Sequence, residues 1–175
     1  MAVRVIVVMG VSGSGKTEIG RLLAHELGWA FHDADDFHPS ENVRVMSQGI
    51  PLTDVQRTPW LIALRHLIDS VLRESSGMVL ACSALAKRYR TAIGIGDPRL
   101  QLVHLDGPMD VIRSRLQERT GHFMPASLLE SQCALLERPT AEERAITVDI
   151  RESPAALVKQ LLAQCRDGLN ATHVL

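Results

Sequence analysis

The chain has 175 residues, enough for one domain with a full core, and 46% of them are hydrophobic and 22% charged, as in ordinary soluble globular proteins. Its 19 Lys and Arg and 20 Asp and Glu give a formal net charge of −1, which excludes a global basic field for nucleic acid or an anionic membrane. The three cysteines show neither a CxxC pair nor a Cys/His ligand spacing, so no disulfide or zinc site is predicted. We expect reduced thiols in a cytoplasmic protein.

Short apolar runs alternate with longer segments of helical period. The first run, VRVIVVM (3–9), is typical of a strand buried on both faces and is too short to cross a membrane. The predicted strands cover 3–9, 29–33, 78–82, 100–105 and 145–150. The predicted helices cover about 16–28, 57–74, 84–93, 108–119 and 154–165, the last with Ser153 as its N-cap. The alternation predicts one α/β domain over 1–175, with a mostly parallel five-stranded sheet and helices on both faces.

The segment GVSGSGKT (10–17) matches the pattern G-x-x-x-x-G-K-[ST] of a P-loop, and it lies between a predicted strand and a predicted helix. Its glycines allow several backbone N–H groups to point at one phosphate, and the helix adds the positive end of its dipole. Lys16 is expected to reach the β- and γ-phosphates, and Thr17 to place its hydroxyl on Mg²⁺. The predicted nucleotide-binding residues of this loop are Gly10, Val11, Ser12, Gly13, Ser14, Gly15, Lys16 and Thr17.

Three aspartates follow the second predicted strand, in the segment HDADD (32–36). The carboxyl ends of parallel strands form the edge where open α/β sheets bind ligands. In an extended segment Asp33 and Asp35 point the same way and Asp36 points elsewhere. We therefore expect Asp33 to bind Mg²⁺ and Asp35 to accept a proton from a substrate hydroxyl. Asp36 has an alternative role as a cap of the turn before HPSEN.

A P-loop alone is compatible with a kinase, a switch or a motor. The chain has no N-K-x-D segment of a guanine switch and little room for the machinery of a motor. The third predicted strand ends in ACSA, so the acidic residue of a standard Walker B strand is missing there. Metal binding then falls to Thr17 and the second-strand aspartates, which favours a small-molecule kinase.

Four segments together resemble the gluconate kinases, relatives of shikimate kinase: GVSGSGKT, DADDFHPSENVRVMSQGIPLTDVQRTPWL, VLACSALAKRYR and GHFMPASLLESQCALLE. The resemblance covers about 3–150. It implies a P-loop NTPase three-layer sandwich like that of the nucleoside monophosphate kinases, a mobile lid and a homodimer. It also implies phosphorylation of the 6-hydroxyl of D-gluconate by ATP. Three residues depart from the usual family pattern, namely Gln56, Ala86 and Arg138.

Gluconate needs a cation for its carboxylate and short polar groups for its hydroxyls. The basic candidates lie near predicted strand ends or helix starts, and Arg57 in QRTPW is the first choice. The others are Lys87, Arg88 and Arg90. The hydroxyl candidates are His38, Ser83 and Gln132. Each of these could instead be a capping or surface residue. The expected acceptor-binding segment covers about 36–75.

A lid is predicted over about 119–138. Arg115 and Arg119 are four residues apart on one helix face, and we expect both to contact the triphosphate, with Arg119 catalytic. Gly121 would be the hinge, His122 a substrate contact and Phe123 an apolar plug. The leucines from 128 to 136 predict a return helix. The alternative for the two arginines is a solvated helix face.

Two other functions stay open. One is a shikimate-kinase-like enzyme acting on another small hydroxy acid, although such an enzyme should carry a glycine-rich turn where this chain has CSAL. The other is an ATP-binding regulatory module without an acceptor. Asp35 and the paired lid arginines argue against that module, because a sensor needs neither.

Overall fold

Five parallel strands form one sheet in the order β2-β3-β1-β4-β5. The computed structural model describes residues 2–118 and 126–169. The strands are β1 Val5–Met9, β2 Ala30–Asp33, β3 Met78–Ala81, β4 Leu100–Asp106 and β5 Ile146–Asp149. β1 lies at the centre and is buried along its whole length, as its unbroken apolar sequence predicted.

Helices cover both faces of the sheet. They are α1 Lys16–Leu27, α2 Ser40–Ser47, α3 Asp54–Glu74, α4 Lys87–Ile93, α5 Met109–Glu118, α6 Ala126–Leu135 and α7 Pro154–Leu169. Apolar residues of α1, α5, α6 and α7 pack against one face. Those of α3 and α4 pack against the other. The predicted three-layer α/β sandwich with five strands is therefore confirmed.

Several element boundaries differ from prediction for local reasons. α3 begins at Asp54 rather than 57 because Thr53 and Gln56 form a capping box, in which the Gln56 N–H donates to Thr53 Oγ1 (3.3 Å) and the Thr53 N–H to Gln56 Oε1 (2.8 Å). α4 begins at Lys87 rather than 84 because Ala84 adopts φ +44°, outside the helical region. Helix α2 was not predicted.

Two predicted helix features agree with the structure. Ser153 caps α7, since its hydroxyl accepts the N–H of Ala156 at 3.3 Å. The predicted return helix of the lid is α6. Residues 119–125 lie outside the described part of the chain, so the mobility and hinge of the lid stay predictions. Within the described ranges, no helix combines the length and apolar character needed to cross a membrane.

Candidate active site

The phosphate loop connects β1 to α1 at the carboxyl edge of the sheet. Gly15 has φ +95° and directly precedes the first residue of α1, Lys16. Gly13 has φ +82°, and a Cβ there would lie 2.7 Å from Leu116 Cγ. Both positions therefore require glycine, the first for its backbone and the second also for space. The glycine turn leads directly into the N-terminus of α1, and such a terminus can bind an anion.

A cleft of about 910 Å³ opens beside this loop. Its polar lining consists of Ser12, Lys16, Thr17, Asp33, Asp35, Asp36, Ser47, Arg57, Ser83, Tyr89, Ser131 and Gln132. Its apolar lining includes Val43, Met46, Leu52, Trp60, Leu85, Leu116, Leu128 and Leu135. The fold thus brings together most of the residues predicted from separate motifs.

Thr17 and Asp33 form a corner of hard oxygen ligands. Thr17 Oγ1 donates to Asp33 Oδ2 at 2.9 Å, and Asp33 Oδ1 accepts the N–H of Asp35 at 3.1 Å. A hydroxyl and a carboxylate this close suit Mg²⁺, which usually takes one or two protein ligands and completes its shell with phosphate oxygens and water. Within the described ranges no group of three or more His, Cys, Asp or Glu could hold a metal ion by itself.

The aspartate segment is not extended, which corrects the geometric part of the prediction. Residues Ala34–Phe37 form a short 3-10 helix, and Asp33 is its N-cap. The capping role considered for Asp36 therefore belongs to Asp33. Asp35 and Asp36 nevertheless both line the cleft with Asp33, because the helical turn places them on the same edge.

Asp35 keeps contact with solvent, but the cleft walls surround it. This desolvation raises the pKa of Asp35 above its ordinary value; the charge of Lys16 lowers it, and the carboxylates of Asp33 and Asp36 raise it further. A raised pKa makes a carboxylate a stronger proton acceptor. Burial also raises the pKa of Cys82 to about 12, so this nearby thiol is not a nucleophile.

On the opposite wall, α3 contributes Arg57 and Trp60. The His38 ring stacks on Trp60 with centroids 4.5 Å apart and planes 10° from parallel. Burial, with the nearby charge of Arg57, lowers the pKa of His38 to about 4, so its imidazole is neutral at neutral pH. Ser83 lines the cleft from the loop after β3.

Helices α5 and α6 close the site on the third side. Gln132 of α6 accepts the N–H of Ser12 at 2.7 Å through Oε1. Arg115 of α5 donates through Nη2 to the Ile150 carbonyl at 2.6 Å, and its Nη1 lies 3.7 Å from where a Cβ on Gly15 would be. Arg115 therefore lies beside the phosphate loop, in a second recess of about 320 Å³.

Comparison with known proteins places the chain in a family. The shikimate kinase family model matches residues 12–166. The thermosensitive gluconokinase of Escherichia coli (strain K12) is 43% identical, over 98% of this chain and 90% of that protein. The gluconokinase of Gluconobacter oxydans (strain 621H) is 44% identical, over 91% and 89%. The chain belongs to the gluconokinase family. A gluconokinase crystal structure from Sinorhizobium meliloti 1021 matches with TM-score 0.85 and 42% identity, over 96% and 94% of the two chains.

Membership of the gluconokinase family makes the chain a kinase that uses ATP. Four of the predicted acceptor residues are not part of the cleft lining, namely His38, Lys87, Arg88 and Arg90. Arg90 has no exposed side-chain surface, and it bonds Glu143 at 2.5 Å and the Ala84, Leu85 and Glu137 carbonyls. Lys87 donates to Glu142 at 3.1 Å on the outer surface. The Arg90 prediction is therefore corrected, since this buried cation serves intramolecular pairs, whereas the substrate contact of Lys87 stays a prediction.

Arg88 is also outside the cleft lining, and it pairs with Asp54 at 2.9 Å. The predicted contacts of Arg119 and His122 lie outside the described residues and stay predictions.

Two cleft features of this gluconokinase-family chain were missed from sequence. Tyr89, the sole tyrosine, lines the cleft. Its signal is its place in the segment VLACSALAKRYR, among the basic residues predicted as substrate contacts. Trp60 lies in the predicted helix over 57–74 but was not predicted as a site residue, and it is 2% exposed yet forms part of the cleft wall.

Proposed function

We propose that this chain transfers the γ-phosphoryl group of ATP to the 6-hydroxyl of D-gluconate, giving 6-phospho-D-gluconate, with Mg²⁺ as cofactor. One observation carries the proposal: Lys16, Asp35 and Arg57 line the same cleft. A triphosphate site, a proton acceptor and a cation for a carboxylate are the three functions that this reaction needs.

The donor side consists of the phosphate loop, Lys16, Thr17 and Asp33. The loop N–H groups and the N-terminus of α1 bind phosphate oxygens. Thr17 and Asp33 would hold Mg²⁺, which supplies charge neutralisation for the phosphates when it is bound. Arg115, together with the predicted Arg119, neutralises charge on the transferring group.

Asp35 acts as the general base. Its carboxylate takes the proton of the 6-hydroxyl as that oxygen forms a bond to the γ-phosphorus, and the bond from phosphorus to the bridging oxygen of ADP breaks. The raised pKa of Asp35 supports this role, because a stronger base takes the proton more readily.

The acceptor side holds the other end of the substrate. Arg57 binds the carboxylate of gluconate through its planar fork. Ser83, neutral His38, Gln132 and the predicted His122 bond the hydroxyls between the two ends. The lid of 119–138 closes over both substrates and excludes water that would otherwise take the phosphoryl group.

The proposal includes the state of the protein as well as its reaction. We infer one domain over 1–175, with the acceptor segment in 36–75, acting as a cytoplasmic homodimer on a small-molecule substrate without nucleic acid or membrane partners. The resemblance of the long DADDFHPSEN segment to gluconate kinases supports these points.

An ADP-release assay tests the function. The protein is incubated with ATP and Mg²⁺ and with gluconate, shikimate or no acceptor, and Lys16→Ala serves as the inactive control. We expect release that depends on gluconate, with a product phosphorylated at the 6-position by NMR. Turnover with shikimate alone would favour the shikimate-kinase-like alternative. ATP binding without any acceptor-dependent release would favour the regulatory module.

A further inference from the structure

The Tyr89 hydroxyl is the centre of a small polar network at the base of the acceptor wall. It donates to the Asp54 carboxylate and accepts from Arg57 Nη1 at 3.1 Å and from Arg88 Nη2 at 3.2 Å. A hydroxyl has one donor and two acceptor sites, so all three are in use. The residue is only 4% exposed, which makes this geometry costly to rearrange.

This network fixes one edge of the Arg57 guanidinium. Nη1 donates to the Leu52 carbonyl at 2.6 Å as well as to Tyr89, and the guanidinium carbon lies 5.2 Å from the centre of the Tyr89 ring. Neither hydrogen bond uses Nε or Nη2. The guanidinium is therefore held by one side, and its Nε and Nη2 donors remain available for a planar anion in the cleft.

The charged groups of the network pair unequally with the two arginines. Arg88 bonds both oxygens of Asp54, at 2.9 and 3.2 Å, and Arg57 Nη1 lies 3.6 Å from the same carboxylate. Arg88 Nη1 also lies 3.7 Å from Glu137 Oε1, so two carboxylates pair with Arg88. Because Arg88 takes the hydrogen bonds of Asp54, the positive charge that an anionic substrate would meet in the cleft is that of Arg57.

We propose that Tyr89 is a positioning residue that orients Arg57, and that the Asp54–Tyr89–Arg88 network thereby sets the selectivity of the cleft for carboxylate over uncharged polyol acceptors. The inference rests on the proposed function, in which Arg57 binds the gluconate carboxylate. Tyr89 itself acts through Arg57 and not on the reacting atoms.

The test compares Tyr89→Phe, Arg57→Gln and the double variant with wild type. Tyr89→Phe keeps the ring and removes the hydroxyl, and we expect the KM for gluconate to rise about tenfold, as for one lost hydrogen bond to a charged group. The kcat and the KM for ATP should change less than about threefold. D-Glucitol has the same carbon chain without the carboxylate, so its KM should be almost unchanged. The preference for gluconate over D-glucitol should therefore fall.

The double variant distinguishes a Tyr89 that positions Arg57 from a Tyr89 that contacts gluconate directly. In the Arg57→Gln background, Tyr89→Phe should have no further effect on gluconate, because the group that it orients is gone. Arg65→Gln is the matched control, since Arg65 belongs to the same helix and pairs with Asp69 at 2.8 Å. Thermal melting of each variant separates loss of fold from loss of binding.

Each result has one meaning. An unchanged gluconate KM in Tyr89→Phe, or effects of the two substitutions that simply add, would overturn the positioning role. Calorimetric titration of gluconate into wild type and Tyr89→Phe measures binding without transfer. Wild type that binds gluconate but does not phosphorylate it would overturn the proposed function and leave the Tyr89 inference to stand on the binding data. Absence of gluconate binding in wild type would overturn both.

Discussion

Gln132 on α6 bonds directly to Ser12 in the phosphate loop: the Ser12 N–H donates to Gln132 Oε1 at 2.7 Å. The two residues are 120 positions apart in the chain. Gln132 was expected to bind substrate hydroxyls, and it does line the cleft. Its side-chain carbonyl oxygen, however, accepts a hydrogen bond from a backbone N–H of the loop. A direct hydrogen bond therefore connects α6 to the phosphate loop.

This contact predicts a charge effect on nucleotide binding. Gln132→Glu places a carboxylate beside the phosphate loop, and repulsion from the triphosphate should weaken ATP binding at least about tenfold. Gln132→Ala should leave ATP binding within a few-fold, because no negative charge is added. Calorimetric Kd values for a non-hydrolysable ATP analogue measure both. Gln164→Glu, an exposed site on α7, is the control for the change in net charge. Equal affinities of Gln132→Glu and this control would contradict the prediction.

Asp33→Asn is expected to raise the magnesium requirement. The amide keeps the shape of the side chain and a hydrogen-bond acceptor for Thr17, but it removes the negative charge that attracts the cation. The Mg²⁺ concentration for half-maximal activity should increase at least about tenfold, with partial recovery at high Mg²⁺. Asp36→Asn serves as comparison, since Asp36 lines the same cleft without bonding Thr17. A magnesium titration of Asp33→Asn that matches wild type would show that Asp33 does not bind Mg²⁺.

Asp35→Asn should act on the chemical step. General-base catalysis is worth about 10² to 10⁴ in rate, so kcat should fall by that factor while the KM for gluconate changes little. Steady-state kinetics with saturating ATP and Mg²⁺ measure the two constants. If kcat is retained and only the gluconate KM rises, Asp35 binds substrate and another group takes the proton.

His38 is expected to stay neutral over the physiological range. A free histidine has a pKa of about 6.5, whereas burial and Arg57 lower that of His38 to about 4. As pH falls from 7 to 5, the unfolded chain therefore gains a proton at this site before the folded chain does, and folding stability decreases. NMR titration of the His38 ring should show no midpoint between pH 5 and 8. A midpoint near 6.5 would contradict the prediction.

Arg90 is expected to affect stability and not substrate binding. Arg90→Met leaves Glu143 without its buried partner, which should lower the free energy of unfolding by about 3–5 kcal/mol. Burial alone would raise the pKa of Glu143, but the Arg90 hydrogen bond and the Thr140 N–H lower it, so the carboxylate loses a main stabilising partner when the arginine is removed. Lys87→Met, which breaks only a surface pair, should leave stability nearly unchanged. Chemical denaturation measures both, and a gluconate KM raised in folded Arg90→Met would restore the original prediction.

The sequence by itself determined the parts of the site whose contacts are local. The phosphate loop occupies eight consecutive residues between a strand and a helix, and its chemistry follows from that order. The parallel three-layer fold was also predictable from sequence. It follows from the unbroken apolar run of β1 and from the alternation of strands and helices along the chain. Asp33 and Asp35 were placed correctly at the edge of the sheet, although their backbone is a 3-10 turn and not an extended segment.

Tertiary structure decided which of several similar cations faces the cleft. Arg57, Lys87, Arg88 and Arg90 are all cations that can bond a carboxylate, and their neighbours in sequence do not show which of them faces the cleft. Arg90 is held away from the cleft by its pair with Glu143, 53 positions away, whereas Arg57 lines the cleft and donates to Tyr89, 32 positions away. An arginine side chain binds whichever carboxylate or carbonyl the fold brings within about 3 Å, and no local pattern specifies that partner.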